Sequence, residues 1–210
     1  NKEIGSKLTS AEVSDLCCFI ADAVYSGGIR RAAMICLFDM TDEAMLGYKA
    51  GAYWDTNPHR ARVNVSAVAL REDIVDNFDS VGYPVSKTTK EQYQDFWKFV
   101  QDSGTGEPGI YWTNDLDSGT NPCCEIALKD KQFCNLTTIN FSTVTSQSDL
   151  IARAKTASFL GTLQAGFTDF HYLGDEWASN CEEEALLGVS VTGIAAVSYT
   201  HLRAHETRHD

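Results

Sequence analysis

Asn121-Pro122-Cys123-Cys124-Glu125-Ile126 is the densest run of reactive side chains in the sequence. In an extended segment alternate side chains share a face. That would align Asn121, Cys123 and Glu125 along one edge of ~7 Å and send Cys124 the other way. Eleven residues after Cys123 stands Cys134, with Lys129-Asp130-Lys131 between them as a candidate turn. A chain that doubles back there brings Cys134 toward Cys123 and Glu125. Two thiols and a carboxylate converging on one pocket suit redox or acid–base chemistry, and make a poor hydrophobic core.

Plainer readings compete with this one. A lone cysteine is usually a small hydrophobe, and Cys17, Cys18 and Cys36 are read that way. Cys123, Cys124 and Cys134 could supply three thiolates to zinc, although no two cysteines have the C-x₂-C spacing. Gly27-Gly28 after a helix is commonly a C-terminal cap, and the Arg30-Arg31 pair is commonly solvated. His201, His205 and His209, four apart, could share a helical face and invite a metal. The charged run 195–210 reads instead as sequence foreign to the domain, and no metal is assigned.

Bulk properties narrow the classes. The chain has 210 residues, 43% hydrophobic and 22% charged, as expected of a soluble globular protein with one domain or two small ones. Acidic residues outnumber basic ones 29 to 17, for a formal net charge of −12. Such a surface repels a polyphosphate backbone, which argues against polymeric nucleic acid as a partner. Small phosphorylated ligands need only a few local cations and N–H groups, and stay admissible. Seven cysteines without a secretion-signal pattern point to a reducing, cytoplasmic setting. No apolar run approaches the ~20 residues of a membrane span. The first residue is Asn1 rather than Met, which fits a partial chain.

The elements that must position these residues can be read from periodicity. Thr9 and Glu12 have capping-box spacing ahead of a helix from Ser10 to Tyr25, with Val13, Leu16, Cys17, Ile20 and Val24 as its apolar stripe. A strand is expected over Ala32 to Phe38, a helix over Thr41 to Ala50 and a strand over Val63 to Leu70. An amphipathic helix follows over Thr88 to Gln101, with Tyr93, Phe96, Trp97 and Val100 on one face. Extended pieces are expected at Ile110 to Thr113, Pro122 to Leu128 and Cys134 to Phe141. A helix from Asp149 to Phe170 and a strand from Leu187 to Ile194 complete the pattern. Strands alternating with helices favour an α/β class with a partly parallel sheet or barrel.

Gly119-Thr120-Asn121-Pro122-Cys123-Cys124-Glu125-Ile126-Ala127-Leu128, followed by Gln132-Phe133-Cys134-Asn135-Leu136-Thr137, resembles the active-site finger loop of ribonucleotide reductases. Ser26-Gly27-Gly28-Ile29-Arg30-Arg31-Ala32-Ala33 resembles the specificity loop of the same family. Asn57 to Val68, Glu107 to Trp112 and Leu187 to Gly193 match it in order and placement. Cys124 departs from the pattern, where glycine or alanine is common. The wording around Cys123 and Cys134 is most similar to the adenosylcobalamin-dependent class II enzymes, with class I catalytic subunits, which use a separate metal-containing radical subunit, as the alternative. An inactive nucleotide-binding remnant and a thiol- or zinc-binding fragment remain the other readings.

The resemblance implies part of a ten-stranded α/β barrel over 1–194, with the specificity loop near 26–33 and the finger loop near 119–128. It implies that Cys123 becomes a thiyl radical and abstracts the 3′ hydrogen of a ribonucleotide. Glu125 acts as base on the 3′ hydroxyl, Asn121 orients the sugar, and Cys134 is one of two reducing thiols. The second redox cysteine of the family lies upstream of the specificity loop. Ser26, Gly27, Gly28, Arg30 and Arg31 would sense effector and substrate. The cofactor implied is adenosylcobalamin. The partners implied are a ribonucleoside di- or triphosphate substrate, a dNTP or ATP effector and a thioredoxin-like reductant, with room for a homodimer.

Overall fold

The computed structural model describes residues 5–24, 32–70 and 89–195. The chain divides into two compact units, Asn1–Ala127 and Leu128–Asp210.

In the first unit, helix α1 (Ser10–Asp22) opens with the expected capping box. Thr9 N donates to Glu12 Oε2 at 2.7 Å and Glu12 N to Thr9 Oγ1 at 3.3 Å. Its inward face differs from the sequence expectation. Ser14, Cys18 and Ala21 are buried, whereas Val13, Leu16, Cys17, Ile20 and Val24 are exposed. Cys17 is therefore no core residue, while Cys18 is fully buried and Cys36 half-buried. The rotation of α1 is set by Asp15. Its carboxylate accepts from Tyr48 Oη at 2.6 Å and from Arg60 Nε and Nη2 at 2.8 Å each, and lies 2.9 Å from His59 Nε2. Small side chains at 14, 18 and 21 then let the helix lie close to its neighbours.

Strands β1 (Met34–Asp39), β2 (Val63–Leu70) and β3 (Gly109–Thr113) form a sheet in that order, paired in parallel, with Met34 opposite Val63 and Ser66 opposite Gly109. Between β1 and β2 the expected helix shrinks to one turn, α2 (Glu43–Leu46). Asp42 caps it at 3.0 Å to Ala44 N, and it stops at Gly47. A further turn, α3 (Tyr53–Thr56), leads through the 3-10 turn Pro58–Arg62 into β2. Helix α4 (Lys90–Ser103) starts at a second capping box, Thr89 with Gln92, and ends at Gly104 in the left-handed region. Phe96 and Val100 on α4 are buried as expected. Trp97 is exposed, and packs edge-on to Tyr93.

Alternation divides β2 cleanly. Val63, Val65, Ala67 and Ala69 join Cys18, Phe38, Met40, Met45, Tyr48, Phe96 and Val100 in the core. Asn64, Ser66 and Val68 take the opposite face. The start of β2 is held by Lys49, 4% exposed, whose Nζ donates to Val63 O at 2.9 Å and to Glu107 Oε1 at 2.7 Å. Past β3, the two-residue strands β4 (Gly119–Thr120) and β5 (Ala127–Leu128) pair with each other.

The second unit pairs β6 (Asn135–Asn140) in parallel with β7 (Leu187–Thr192), Asn135 opposite Leu187. Helix α5 (Gln147–Ala165) packs over both strands through the buried series Ala157, Gly161 and Ala165. A Cβ at Gly161 would stand 1.9 Å from Leu187 Cδ1, so the helix lies close on β7. Helix α6 (Asp175–Glu184) was not expected from the sequence. Its acidic first turn, Asp175-Glu176, was a usable signal. Both units are mixed α/β with parallel pairing, as the alternation of strands and helices predicted.

Candidate active site at the Cys123 turn

The segment from Asn121 to Ile126 is a turn, not the extended strand expected from alternation. Asn121 closes it from inside. Its side chain is buried, and its Oδ1 accepts from Glu125 N and from Ile126 N, each at 3.1 Å. Cys124 N donates to Asn121 O at 2.9 Å, Asn121 N to Ile126 O at 3.3 Å and Thr120 Oγ1 to Ile126 O at 3.0 Å. Asn-Pro is a turn-starting pair: the ring fixes φ at Pro122, and the short amide takes up backbone N–H groups that a strand would have paired. Cys124 sits at φ 65. This is the left-handed region, where a side chain costs roughly 1–2 kcal/mol.

The turn exposes Cys123, Cys124 and Glu125 together. It rests on the face of β2 opposite the core. Asn64 Nδ2 donates to Pro122 O at 2.7 Å, and the Ser66 hydroxyl lies near the Cys124 thiol. Burial pushes that thiol above its usual range; the nearby Ser66 hydroxyl opposes the shift, and the neighbouring Cys123 and Glu125 add to it. A raised pKa means less thiolate and a slower nucleophile. Tyr111 on β3 donates from Oη to Gly119 O at 3.4 Å. Its phenol is shifted upward by burial and by the nearby Cys124.

Asn121, Cys123 and Glu125 thus share one turn of the first unit, but Asn121 serves as its internal brace rather than lining an edge with the other two. Cys134 belongs to the second unit, half-buried immediately before β6. The expected turn at Lys129-Asp130-Lys131 is present, with Lys131 at φ 53 and Lys129 N donating to Gln132 Oε1 at 2.9 Å. Phe133 fixes the approach to Cys134. Its ring stacks on Trp177 at 4.9 Å, and its N–H donates to Cys181 Sγ at 3.4 Å. Ser26, Gly27, Gly28, Arg30 and Arg31 lie outside the described residues, as does the tail 196–210.

Asn64, Ser66 and Tyr111 did not stand out as chemistry in the sequence. A signal was there: Asn64 and Ser66 are polar at i and i+2 in a strand otherwise built of Val, Ala and Leu. Among the described residues no three Cys, His, Asp or Glu side chains gather closely enough to hold a metal ion. No helix among them is long and apolar enough to cross a membrane.

No family model matches the chain. It is similar to curated proteins named adenosylcobalamin-dependent ribonucleoside-triphosphate reductase. The protein of that name from Lactobacillus acidophilus is 25% identical over 200 residues, covering 92% of this chain and 25% of the relative. That from Lactobacillus delbrueckii subsp. bulgaricus is 28% identical over 153 residues, covering 65% of the chain and 18% of the relative. That from Levilactobacillus brevis is 24% identical over 211 residues, covering 92% and 25%. The chain therefore spans a quarter or less of the length of these relatives. The likeness to the adenosylcobalamin-dependent class, read from the motif around Cys123, is met by relatives of that name at low identity.

Proposed function

We propose that the chain is the thiyl-bearing part of an adenosylcobalamin-dependent reductase that converts ribonucleoside triphosphates to deoxyribonucleotides. The observation that carries this reading is the Cys123 turn, which presents a thiol and the Glu125 carboxylate together on an internally braced loop. The relatives' names support the triphosphate substrate and the cofactor. The parallel strands of both units are read as part of a ten-stranded barrel, with the turn as its central finger loop.

The exposed thiol of Cys123 leaves its sulfur accessible to a radical-generating group. When bound, adenosylcobalamin supplies the radical that oxidises this thiol. Cys123 as a thiyl radical takes the hydrogen atom from C3′ of the ribose and becomes a thiol again. Glu125 accepts the 3′-hydroxyl proton as the 2′ hydroxyl leaves as water. Cys134 and a second thiol, upstream of residues 26–33 by family resemblance, provide two electrons and two protons and close a disulfide. Cys123 then returns its hydrogen atom to C3′. The sum is one ribonucleotide and two thiols giving one deoxyribonucleotide, one disulfide and one water. Ser26, Gly27, Gly28, Arg30 and Arg31 are proposed to relay a dNTP or ATP effector, and a thioredoxin-like dithiol to reduce the disulfide.

The test is deoxyribonucleotide formation by the full-length protein with adenosylcobalamin, a ribonucleoside triphosphate and a dithiol. Cys123→Ala should abolish product while triphosphate binding persists. A full-length protein that forms no product, or a Cys123→Ala variant that keeps the parent rate, sinks the reading.

A further inference from the structure

We infer that Asn64 is a positioning residue for the Cys123 thiol, an inference that rests on the reductase reading for its catalytic meaning. The bonds within the turn give it a shape but not a place. Every one of them joins residues between Thr120 and Ile126. Placement on the sheet comes from β2 and β3: Tyr111 Oη reaches Gly119 O at 3.4 Å, and Asn64 and Ser66 approach the turn from adjacent positions on one face of β2.

Their contacts bracket the reactive residue. Asn64 Nδ2 reaches the carbonyl of Pro122, one residue before Cys123, at 2.7 Å. The Ser66 hydroxyl lies near the thiol of Cys124, one residue after it. A fixed carbonyl before Cys123 and a neighbour after it limit how far its sulfur can translate along the sheet. Asn64 is itself exposed, so it contributes little to the core. Its bond is better placed to set a position than to hold the fold. Hydrogen-atom transfer is steep in distance, so even a small drift of the sulfur is felt in the rate.

The experiment uses the full-length protein carrying Asn64→Ala or Asn64→Asp, the second of which keeps size but replaces the donor with an acceptor. Expected is a fall in kcat of about 10- to 100-fold with KM nearly unchanged, the mark of lost alignment rather than lost binding. Iodoacetamide labelling, read peptide by peptide, adds a readout independent of turnover. Cys124 should label several-fold faster once the turn is untethered. Ser66→Ala should release Cys124 in the same way, which covers the case of an Asn64 variant that folds poorly. A kcat within about twofold of the parent in both Asn64 variants overturns the inference. If the parent itself forms no deoxyribonucleotide, the reductase reading has failed. The labelling of Cys124 then decides alone: unchanged rates overturn the placement by Asn64, and faster ones uphold it.

Discussion

Ser66 and Gly109 face each other across β2 and β3 so closely that a Cβ on Gly109 would lie 2.9 Å from Ser66 Oγ. The bare glycine is what leaves the hydroxyl its place beneath Cys124. A side chain here must push the serine aside, and the seat of the turn with it.

Gly109→Ala should therefore destabilise the first unit by about 1–3 kcal/mol, in the range of an overpacked contact. Removing the hydroxyl as well, in Ser66→Ala with Gly109→Ala, should recover part of that loss. A double-mutant cycle by urea denaturation measures the coupling, expected at roughly 1 kcal/mol. Strict additivity would show that the two residues do not compete for the same space.

Asn121→Ala should loosen the turn while leaving the sheet intact. Two backbone N–H groups, of Glu125 and Ile126, lose their common acceptor. Each buried donor left unpaired costs about 1–3 kcal/mol, less where water can enter. Hydrogen exchange should quicken at those two amides and stay slow along β2. Unchanged protection at Glu125 and Ile126 would show that the side chain is not the brace.

Cys124→Gly should be tolerated, even stabilising. The φ of 65 is free of cost for glycine, against roughly 1–2 kcal/mol for a residue with a Cβ. The lost thiol contact with Ser66 offsets part of the gain. Cys124→Val, branched at the strained centre, should be worse than the parent. Thermal melts that rank valine above glycine would contradict the geometry.

Asp15 predicts an acid-sensitive clamp. Burial alone would raise its pKa, but hydrogen bonds from Arg60, Tyr48 and His59 outweigh burial and hold it at about 2, below the ordinary 3.8. A carboxylate depressed in the folded state lends stability above its unfolded value and loses it as pH falls through the folded one. The window is thus from about pH 4 down to about pH 2. The amount is of order 2 kcal/mol, since the carboxylate is largely shielded from solvent. Asp15→Asn should be less stable at neutral pH and should flatten the loss over that interval. Denaturation midpoints at pH 7, 4 and 3 check both, and parallel pH curves for parent and variant would refute the clamp.

Much of the scaffold was legible. Val63 to Leu70 is a strand to the residue, and the first capping box stands where Thr9-Glu12 places it, because such signals are local. The facing of α1 was not. Its apolar stripe is turned outward, since three hydrogen-bonding partners of Asp15 decide the rotation and those partners come from residues 48, 59 and 60. The site was half legible. The motif singled out Cys123 and Glu125, which share one exposed turn, but alternation misread the backbone as extended. The Asn-Pro pair carried the turn, and a side-chain oxygen acting on two amides has no periodicity to detect. Asn64 and Ser66 were hidden in a strand whose neighbours lie far along the chain.

The internal bracing of the turn has a consequence for portability. The turn bonds and the Asn121 brace that give the Thr120–Ile126 stretch its form lie within that stretch, so its shape depends little on which scaffold it rests upon. Grafted onto another parallel sheet with an Asn and a Ser two residues apart, it should present the same exposed sulfur. The loop is in this sense a cassette, and the strand beneath it is its socket.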